Sequence, residues 1–176
     1  MRASFRSSIR GFTLFEVMIT IIVLAIMMGF AVPSFQEAVM NGATSAQTND
    51  LVAALQGARS EATKQVRPVR VSALGGNWAA GWELATDRDR SGALNDDDVL
   101  LRTGDPVRDG FQVSVQDIGG VGVNHIWFDA SGRLLGSAQP IMLTVRRPDG
   151  DLDKSRRLCI ALSGRVESKI GETACL

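Results

Sequence analysis

The pattern of apolar and polar residues divides the chain near residue 67 into a helical half and a strand-rich half. No residue from Val17 to Gln36 is charged, and a helix of that length would span roughly 30 Å, the thickness of a bilayer core. Further on, apolar residues recur at helical spacing: Leu51, Leu55, Ala58 and Ala62. The pattern predicts one long helix with a transmembrane half, residues 12–36, and an amphipathic half, residues 37–66.

The helix should end near Val66, because Pro68 disfavours helical geometry in the residue before it. Gly29 and Pro33 mark positions where we expect the helix to bend or locally melt. After Pro68 the apolar period changes to two, which is typical of strands. Six segments are predicted as strands: 69–74, 81–86, 111–115, 125–129, 141–145 and 157–162. We therefore predict an α+β protein in which residues 67–176 form an antiparallel sheet packed on the second half of the helix.

Charge limits the partners of this chain. The sequence has 19 basic and 19 acidic residues, but the first eleven contain Arg2, Arg6 and Arg10 and no acid, so 16 basic residues face 19 acidic ones in the remainder. That balance gives no general attraction to nucleic acid. Because basic residues stay on the cytoplasmic side, the arginines predict a cytoplasmic N-terminus and a C-terminal domain across the membrane.

Glu16 is an unusual residue at the start of the apolar run. It could be a surface carboxylate at the membrane boundary, yet intramembrane acids usually have a partner and a function. An ordinary secretory signal has a shorter apolar run, and Pro33 and Phe35 disrupt a small-residue cleavage site. A plain signal anchor leaves Glu16 unexplained. A cut before the apolar run, between Gly11 and Phe12, is the remaining alternative.

The N-terminal segment resembles a known signal. Residues 10–35 have the sequence RGFTLFEVMITIIVLAIMMGFAVPSF, which is similar to the class III signal of type IV pilins and type II secretion pseudopilins. The resemblance implies that prepilin peptidase removes a leader, residues 1–11, and N-methylates Phe12. It also implies that Glu16 meets the Phe12 amine of a neighbouring subunit in the filament. The protein would be a single-pass protein of the bacterial inner membrane with a periplasmic C-terminal domain.

Three further stretches are similar to the GspH/FimT branch of minor pilins: ARSEATKQVRPVRV, IWFDASGRLL and LCIALSGRV. The resemblance implies a type IV pilin fold and a scarce subunit that helps to initiate filament assembly at or near the tip. Its partners would be other minor and major pilins or pseudopilins. Two alternatives remain: a DNA-binding competence pilin for natural transformation, and an independent membrane-anchored binding module that is not processed.

Cys159 and Cys175 are the two cysteines and enclose 15 residues near the C-terminus. In a periplasm, an even number of cysteines predicts a disulfide. Closing such a loop stabilises a protein by about 3 kcal/mol in the chain-entropy model. The alternative is a pair of buried free thiols.

The segment 146–169 is basic, with seven cations against four acids. Some FimT-like members bind DNA through a Gly-Arg-x-Arg motif in this region, and residues 164–167 match it except that Glu167 replaces the second arginine. Glutamate repels phosphate, so DNA binding is possible but not favoured. The candidate contacts are Arg165, Lys169, Arg156 and Arg157. The alternative is a charged edge strand that resists sheet-to-sheet association.

The segment 87–98 has the spacing of an EF-hand loop, with Gly92 at its sixth position. The candidate calcium ligands are Asp87, Asp89, Ser91 and Asp98. An aspartate at position twelve is a shorter arm than the usual glutamate. We interpret the segment as an acidic, solvated hairpin loop, with calcium as the alternative and no other cofactor expected.

The sequence contains no pattern of residues that indicates an active site. His125 is the only histidine, which excludes a histidine metal cluster, and no nucleophile and base stand in a convincing arrangement. Trp78, Trp82 and Trp127 are expected in the core or at a subunit interface rather than as stacking platforms. We expect a structural protein without catalytic residues.

Overall fold

A computed structural model describes residues 11–89, 91, 95, 98–171 and 173–175. The leader arginines Arg2, Arg6 and Arg10 lie outside this description. Internal contacts divide the chain into two units, Met1–Val39 and Met40–Leu176, which are considered separately below.

Helix α1 spans Leu14–Gln65, close to the predicted bounds. Val66 adopts a left-handed backbone, φ 54°, and the Arg67 N–H donates to the Ala62 carbonyl at 3.2 Å, so the helix ends just before Pro68 as predicted. The expected local melting at Gly29 and Pro33 is wrong, since both residues lie inside uninterrupted helix. Proline removes only one N–H donor, and the flanking turns keep their hydrogen bonds.

The first unit consists of the apolar half of α1. All side chains from Phe12 to Gln36 are exposed. Among the described residues, α1 is the one helix long and apolar enough, by length and composition, to cross a membrane. A fully exposed apolar helix of this length requires an apolar environment, such as lipid or other helices.

The second unit contains nine strands among its described residues, and every strand pair is antiparallel. They are β1 (Val69–Ala73), β2 (Trp82–Thr86), β3 (Val99–Gly104), β4 (Gln112–Asp117), β5 (His125–Phe128), β6 (Leu134–Leu135), β7 (Ile141–Arg146), β8 (Arg156–Ile160) and β9 (Val166–Ile170). The single sheet expected from the sequence is wrong. Two sheets form, with the orders β3-β2-β1-β5-β6 and β4-β7-β8-β9.

All six predicted strands are confirmed, and three further strands were missed. β3 has no alternation, because its first five side chains are all exposed. β6 is two residues long, and β9 has the polar centre Glu167-Ser168-Lys169. These strands owe their conformation to the neighbours with which they pair, which a local pattern does not reveal.

The second half of α1 forms one wall of the core. The predicted apolar stripe is confirmed, since Leu51, Leu55, Ala58 and Ala62 are all buried. Thr44 and Thr48 extend the stripe, which the apolar pattern did not indicate. The Thr44 hydroxyl donates to the Met40 carbonyl at 2.8 Å and the Thr48 hydroxyl to the Thr44 carbonyl at 2.7 Å. Burying these polar groups is therefore not costly.

Both sheets contribute alternate residues to the same core as α1. The fully buried apolar strand residues are Val69, Val71, Ile126, Phe128, Leu143, Val145, Leu158 and Ile160. Their neighbours in sequence consequently lie on the opposite faces of the sheets.

The predicted disulfide between Cys159 and Cys175 is confirmed, with 5.5 Å between the two Cα atoms. It holds the C-terminal segment against the outer face of β8 and β9. The Arg157 Nη1 donates to the Thr173 carbonyl at 3.0 Å and the Lys169 Nζ donates to the Ala174 carbonyl at 2.9 Å. One covalent bond and two charged donors thus fix the end of the chain.

Replacing Cys175 by serine should lower the free energy of unfolding by about 3 kcal/mol, because the unfolded chain is no longer constrained by the closed loop. Urea unfolding of the detergent-solubilised protein, followed by near-UV circular dichroism, measures the change. Wild type treated with a dithiol reductant is the matched control and should unfold like the variant. Equal stability of oxidised wild type and variant would contradict the prediction.

Candidate functional site

The residues expected in processing and assembly lie at or just before the start of α1. Gly11 and Phe12 precede the helix, and both are exposed. Glu16 is the third helical residue, and its backbone N–H donates to the Thr13 Oγ1 at 3.2 Å. The Thr13 carbonyl accepts the first helical hydrogen bond, from Val17, also at 3.2 Å. Thr13 is therefore the N-cap of α1.

Thr13 and Glu16 have the spacing of a capping box, in which a threonine N-cap is followed three residues later by glutamate. A carboxylate in the first helical turn also interacts favourably with the helix dipole, by about 0.3–1 kcal/mol where exposed. Sequence reasoning missed this role, although the Thr-x-x-Glu signal was present. The Glu16 carboxylate thus also suits the helix start electrostatically, besides the expected intersubunit contact.

The four candidate DNA contacts are not brought together on one face. Arg157 and Lys169 are directly opposite each other on β8 and β9, beneath the C-terminal segment. Arg156 is on the other face, with its Nη2 3.5 Å from the Ser45 Oγ on α1. Arg165 lies in the turn between the two strands.

Much of the charge in this basic stretch is paired. Arg147 is buried, and its Nη2 is 2.6 Å from an Asp149 carboxylate oxygen. Lys154 forms an ion pair with Asp151 at 3.3 Å. Arg165 pairs with Glu167, the residue that departs from the DNA-binding motif. The surface field is therefore weaker than the count of cations indicates.

Arg165 also lines a cleft of about 400 Å³ between α1 and the β8–β9 turn. The lining residues are Gln56, Arg59, Ser60, Thr63, Gly164, Arg165 and Val166. Arg59, which the sequence did not single out, donates from its Nε to the Gly132 carbonyl at 3.0 Å. Gly164 is needed for packing, since a Cβ there would lie 1.9 Å from the Gly132 oxygen. Its place in the Gly-Arg motif thus has a structural reason.

The acidic loop after β2 brings three of its four candidate ligands together. Carboxylate oxygens of Asp87, Asp89 and Asp98 lie within 4.8 Å of one another. The fourth, Ser91, donates its N–H to Asp87 and Asp89, both at 3.0 Å. Gly92 lies outside the described residues.

The loop's own donors engage these carboxylates. Asp98 accepts the N–H groups of Arg88 and Asn95, both at 2.9 Å. The Asn95 side-chain amide donates to Asp89 at 2.9 Å. Hydrogen bonds to Asn95 and Ser91 lower the pKa of Asp89 to about 2. This arrangement agrees with a hydrogen-bonded hairpin loop.

The three tryptophans divide into two environments. Trp78 and Trp82 are buried in the core as expected, and the Trp78 Nε1 donates to the Val123 carbonyl at 2.8 Å. Trp127 instead is half-buried on the outer face of the first sheet, so of the two expected positions, core or subunit interface, it does not occupy the core. The Arg70 guanidinium lies 5.5 Å from the centre of a Trp127 ring.

Comparison with known protein families gives two matches. Residues 47–164 match the family of the type II transport protein GspH. Residues 6–32 match the prokaryotic N-terminal methylation motif. A sequence search of curated proteins gives no significant match.

Solved structures of minor pilins share the fold. The type IV minor pilin FimU of Pseudomonas aeruginosa aligns in two crystal forms. One has 24% identity and a TM-score of 0.58 over 80% of this chain and 98% of FimU. The other has 26% identity and a TM-score of 0.52 over 77% and 98%. The minor pseudopilin EpsH of the Vibrio cholerae type II secretion system has 15% identity and a TM-score of 0.53 over 77% and 99%. The predicted type IV pilin fold is confirmed.

Replacing Asn95 by alanine should raise the pKa of Asp89 from about 2 toward the ordinary 3.8, because the Asn95 amide makes the largest contribution to the shift. Since the folded-state pKa is lowered, the contribution of Asp89 to stability is present above 3.8 and is lost as the pH falls toward 2. The side-chain carboxyl ¹³C resonance measures the titration. Asn49→Ala, exposed on α1, is the matched control.

An unchanged Asp89 titration in the Asn95 variant would contradict this description of the loop. So would a rise in melting temperature on adding millimolar calcium to wild type that Asp98→Asn abolishes, because the carboxylates would then serve an ion.

Proposed function

Because this chain belongs to the family of the type II transport protein GspH, we propose that it is a minor subunit that helps to initiate assembly of a type IV pilus or a type II secretion pseudopilus. It lies at or near the filament tip, next to other minor and major pilins. The observation that carries the proposal is the exposed apolar half of α1, which begins at a methylation motif and needs other helices to cover it.

In this proposal the protein is made as a precursor in the inner membrane, with its N-terminus cytoplasmic and its strand-rich domain periplasmic. Prepilin peptidase cuts between Gly11 and Phe12, which precede the helix and are exposed. N-methylation of Phe12 follows. The cut creates an ammonium group four residues before Glu16, so the processed helix begins with one charge of each sign.

Glu16 then selects the register of assembly. A charged residue in an apolar helix costs on the order of 2.5–3.5 kcal/mol on insertion scales. The Phe12 ammonium of a neighbouring subunit offsets that cost only where the two helices are aligned. Because the N-cap bond uses the backbone N–H of Glu16, the side-chain carboxylate can serve the pair at the same time. The role is structural, and no catalytic residue is proposed.

DNA uptake is a second candidate function, and the shared cleft of Arg59 and Arg165 is the observation that favours it. Two guanidinium groups beside the hydroxyls of Ser60 and Thr63 are suited to a phosphate of the backbone. The ion pair between Arg165 and Glu167 argues against DNA uptake, because it occupies one of the two guanidinium groups.

Replacing Glu16 by alanine or by glutamine should leave cleavage intact but lower recruitment into filaments at least about tenfold, because one charge of a buried pair is then uncompensated. Glutamine still suits a capping box, so this variant removes only the charge. Immunoblots of sheared filaments and of the membrane fraction give the ratio of assembled to unassembled protein. Thr13→Ala is the matched control, with a smaller loss from about 1 kcal/mol of capping energy.

Normal recruitment of the Glu16→Gln variant would contradict the intersubunit pair and leave capping as the function of this residue. Failure of cleavage at Gly11 in wild type would favour the membrane-anchored binding module.

Replacing Glu167 by glutamine should strengthen binding to duplex DNA if the basic cleft contacts phosphate, because it frees Arg165 from its ion pair. A mobility-shift titration of the detergent-solubilised protein at about 50 and 200 mM salt measures the affinity for DNA. In the Glu167 variant this affinity should fall more steeply with salt than in wild type. Arg165→Ala should cancel the gain, whereas Arg108→Ala, an exposed arginine elsewhere, should not. No binding by wild type or by the Glu167 variant would exclude DNA uptake.

A further inference from the structure

A larger cleft, of about 700 Å³, lies within the strand-rich unit and contains the only histidine. β5 forms its floor. The side chains of Ile126 and Phe128 point into the core, so His125 and Trp127 lie on the opposite face of the sheet. The lining includes these two outer-face residues as well as the core residues Ile126 and Ile141. The volume of the cleft is in the range of small-ligand sites.

The two walls of the cleft are loops held in place by hydrogen bonds. In the first wall the Asp117 carboxylate accepts the Val121 N–H at 2.9 Å, and the Asp117 N–H donates to the Val121 carbonyl at 2.9 Å. In the second, the Ser137 hydroxyl donates to the Gln139 carbonyl at 2.6 Å. The Ile118 N–H donates to the Pro140 carbonyl at 3.2 Å and joins the walls. The cleft is therefore preformed.

The indole of Trp127 is also held in position. Arg70 and Leu135 flank it as cross-strand partners on the same face. The Arg70 guanidinium lies over the ring, and its Nη2 is 3.5 Å from the Glu83 carboxylate, which also accepts the Ser72 hydroxyl at 3.0 Å. An aromatic ring fixed before binding loses little entropy when a ligand packs on it.

The polar lining selects against anions. Asn124, His125, Ser137 and Gln139 each offer hydrogen-bond donors and acceptors, and Asp117 adds one carboxylate. All the lining residues belong to the described part of the chain, and none of them is lysine or arginine. The lining itself therefore offers no lysine or arginine to phosphates or acidic polymers, and the neighbouring Arg70 is paired with Glu83.

We propose that this cleft binds a neutral carbohydrate chain. A sugar ring combines an apolar C–H face with a rim of hydroxyl groups, each of which both donates and accepts. The part of the Trp127 indole that lines the cleft and is not covered by Arg70 provides the apolar surface. Asn124, His125 and Gln139 provide two-way hydrogen bonds to the rim. The inference concerns the surface of the domain and stands apart from the assembly role of α1.

The test uses full-length protein in detergent and three neutral probes: maltotriose, cellotriose and the trimer of N-acetylglucosamine. Trp78 and Trp82 are buried, so a change in tryptophan fluorescence on titration reports mainly on Trp127. We expect saturable binding to at least one probe. Because the ligand is uncharged, its affinity should not change between about 50 and 200 mM salt.

Variants test which residues bind the sugar. Binding to the variants is measured by calorimetry, because the Trp127→Ala variant lacks the fluorescent reporter. Trp127→Ala should weaken binding at least tenfold, and Gln139→Ala severalfold. Gln112→Ala, an exposed amide outside the cleft, should leave it unchanged. The Gln139 variant keeps the test valid if the Trp127 variant misfolds. Absence of saturable binding to all three sugars, binding that both cleft variants leave unchanged, or a stronger response to spermidine than to sugars would overturn the proposal.

Discussion

Burial of one stripe of α1 is the interaction on which the strand-rich unit depends. From Thr44 to Ala62 the helix presents small and medium side chains, and residues of both sheets pack against them in one core. Small residues allow strands to approach the helix closely, and the two buried threonines satisfy their hydroxyls within the helix itself. Two sheets that share no strand pairing in the described residues are thereby held as one body.

Several cations of the segment 146–169 likewise have their hydrogen-bond donors satisfied within the fold. Arg147 is almost fully buried, and its guanidinium contacts Asn41 on α1 as well as Asp149. Arg157 and Lys169, which are side by side on adjacent strands, donate to carbonyl groups of the C-terminal segment. Cations that look in the sequence like a nucleic-acid surface therefore serve largely to hold the fold.

The two units suit different tasks. The apolar half of α1 offers a surface that only other helices or lipid can cover. Glu16 contributes its backbone N–H to the cap, and its carboxylate is the group that we propose for assembly. The strand-rich unit offers two clefts of different lining, one with Arg59 and Arg165, the other without lysine or arginine. In our proposals the first unit serves assembly and the second recognises ligands.

The sequence by itself determined the features that depend on local pattern: the bounds of α1, its buried stripe, six of the strands, the disulfide and the type of N-terminal signal. Helical periodicity, proline geometry and the processing motif act over a few residues, so a local pattern records them. The tertiary structure alone decided the division into two sheets, the pairing of β3, β6 and β9, and the outward position of Trp127. It also brought Arg59 to Arg165 and placed the C-terminal segment over Arg157 and Lys169. These features depend on strand register and on contacts between residues far apart in the chain, which no local pattern encodes.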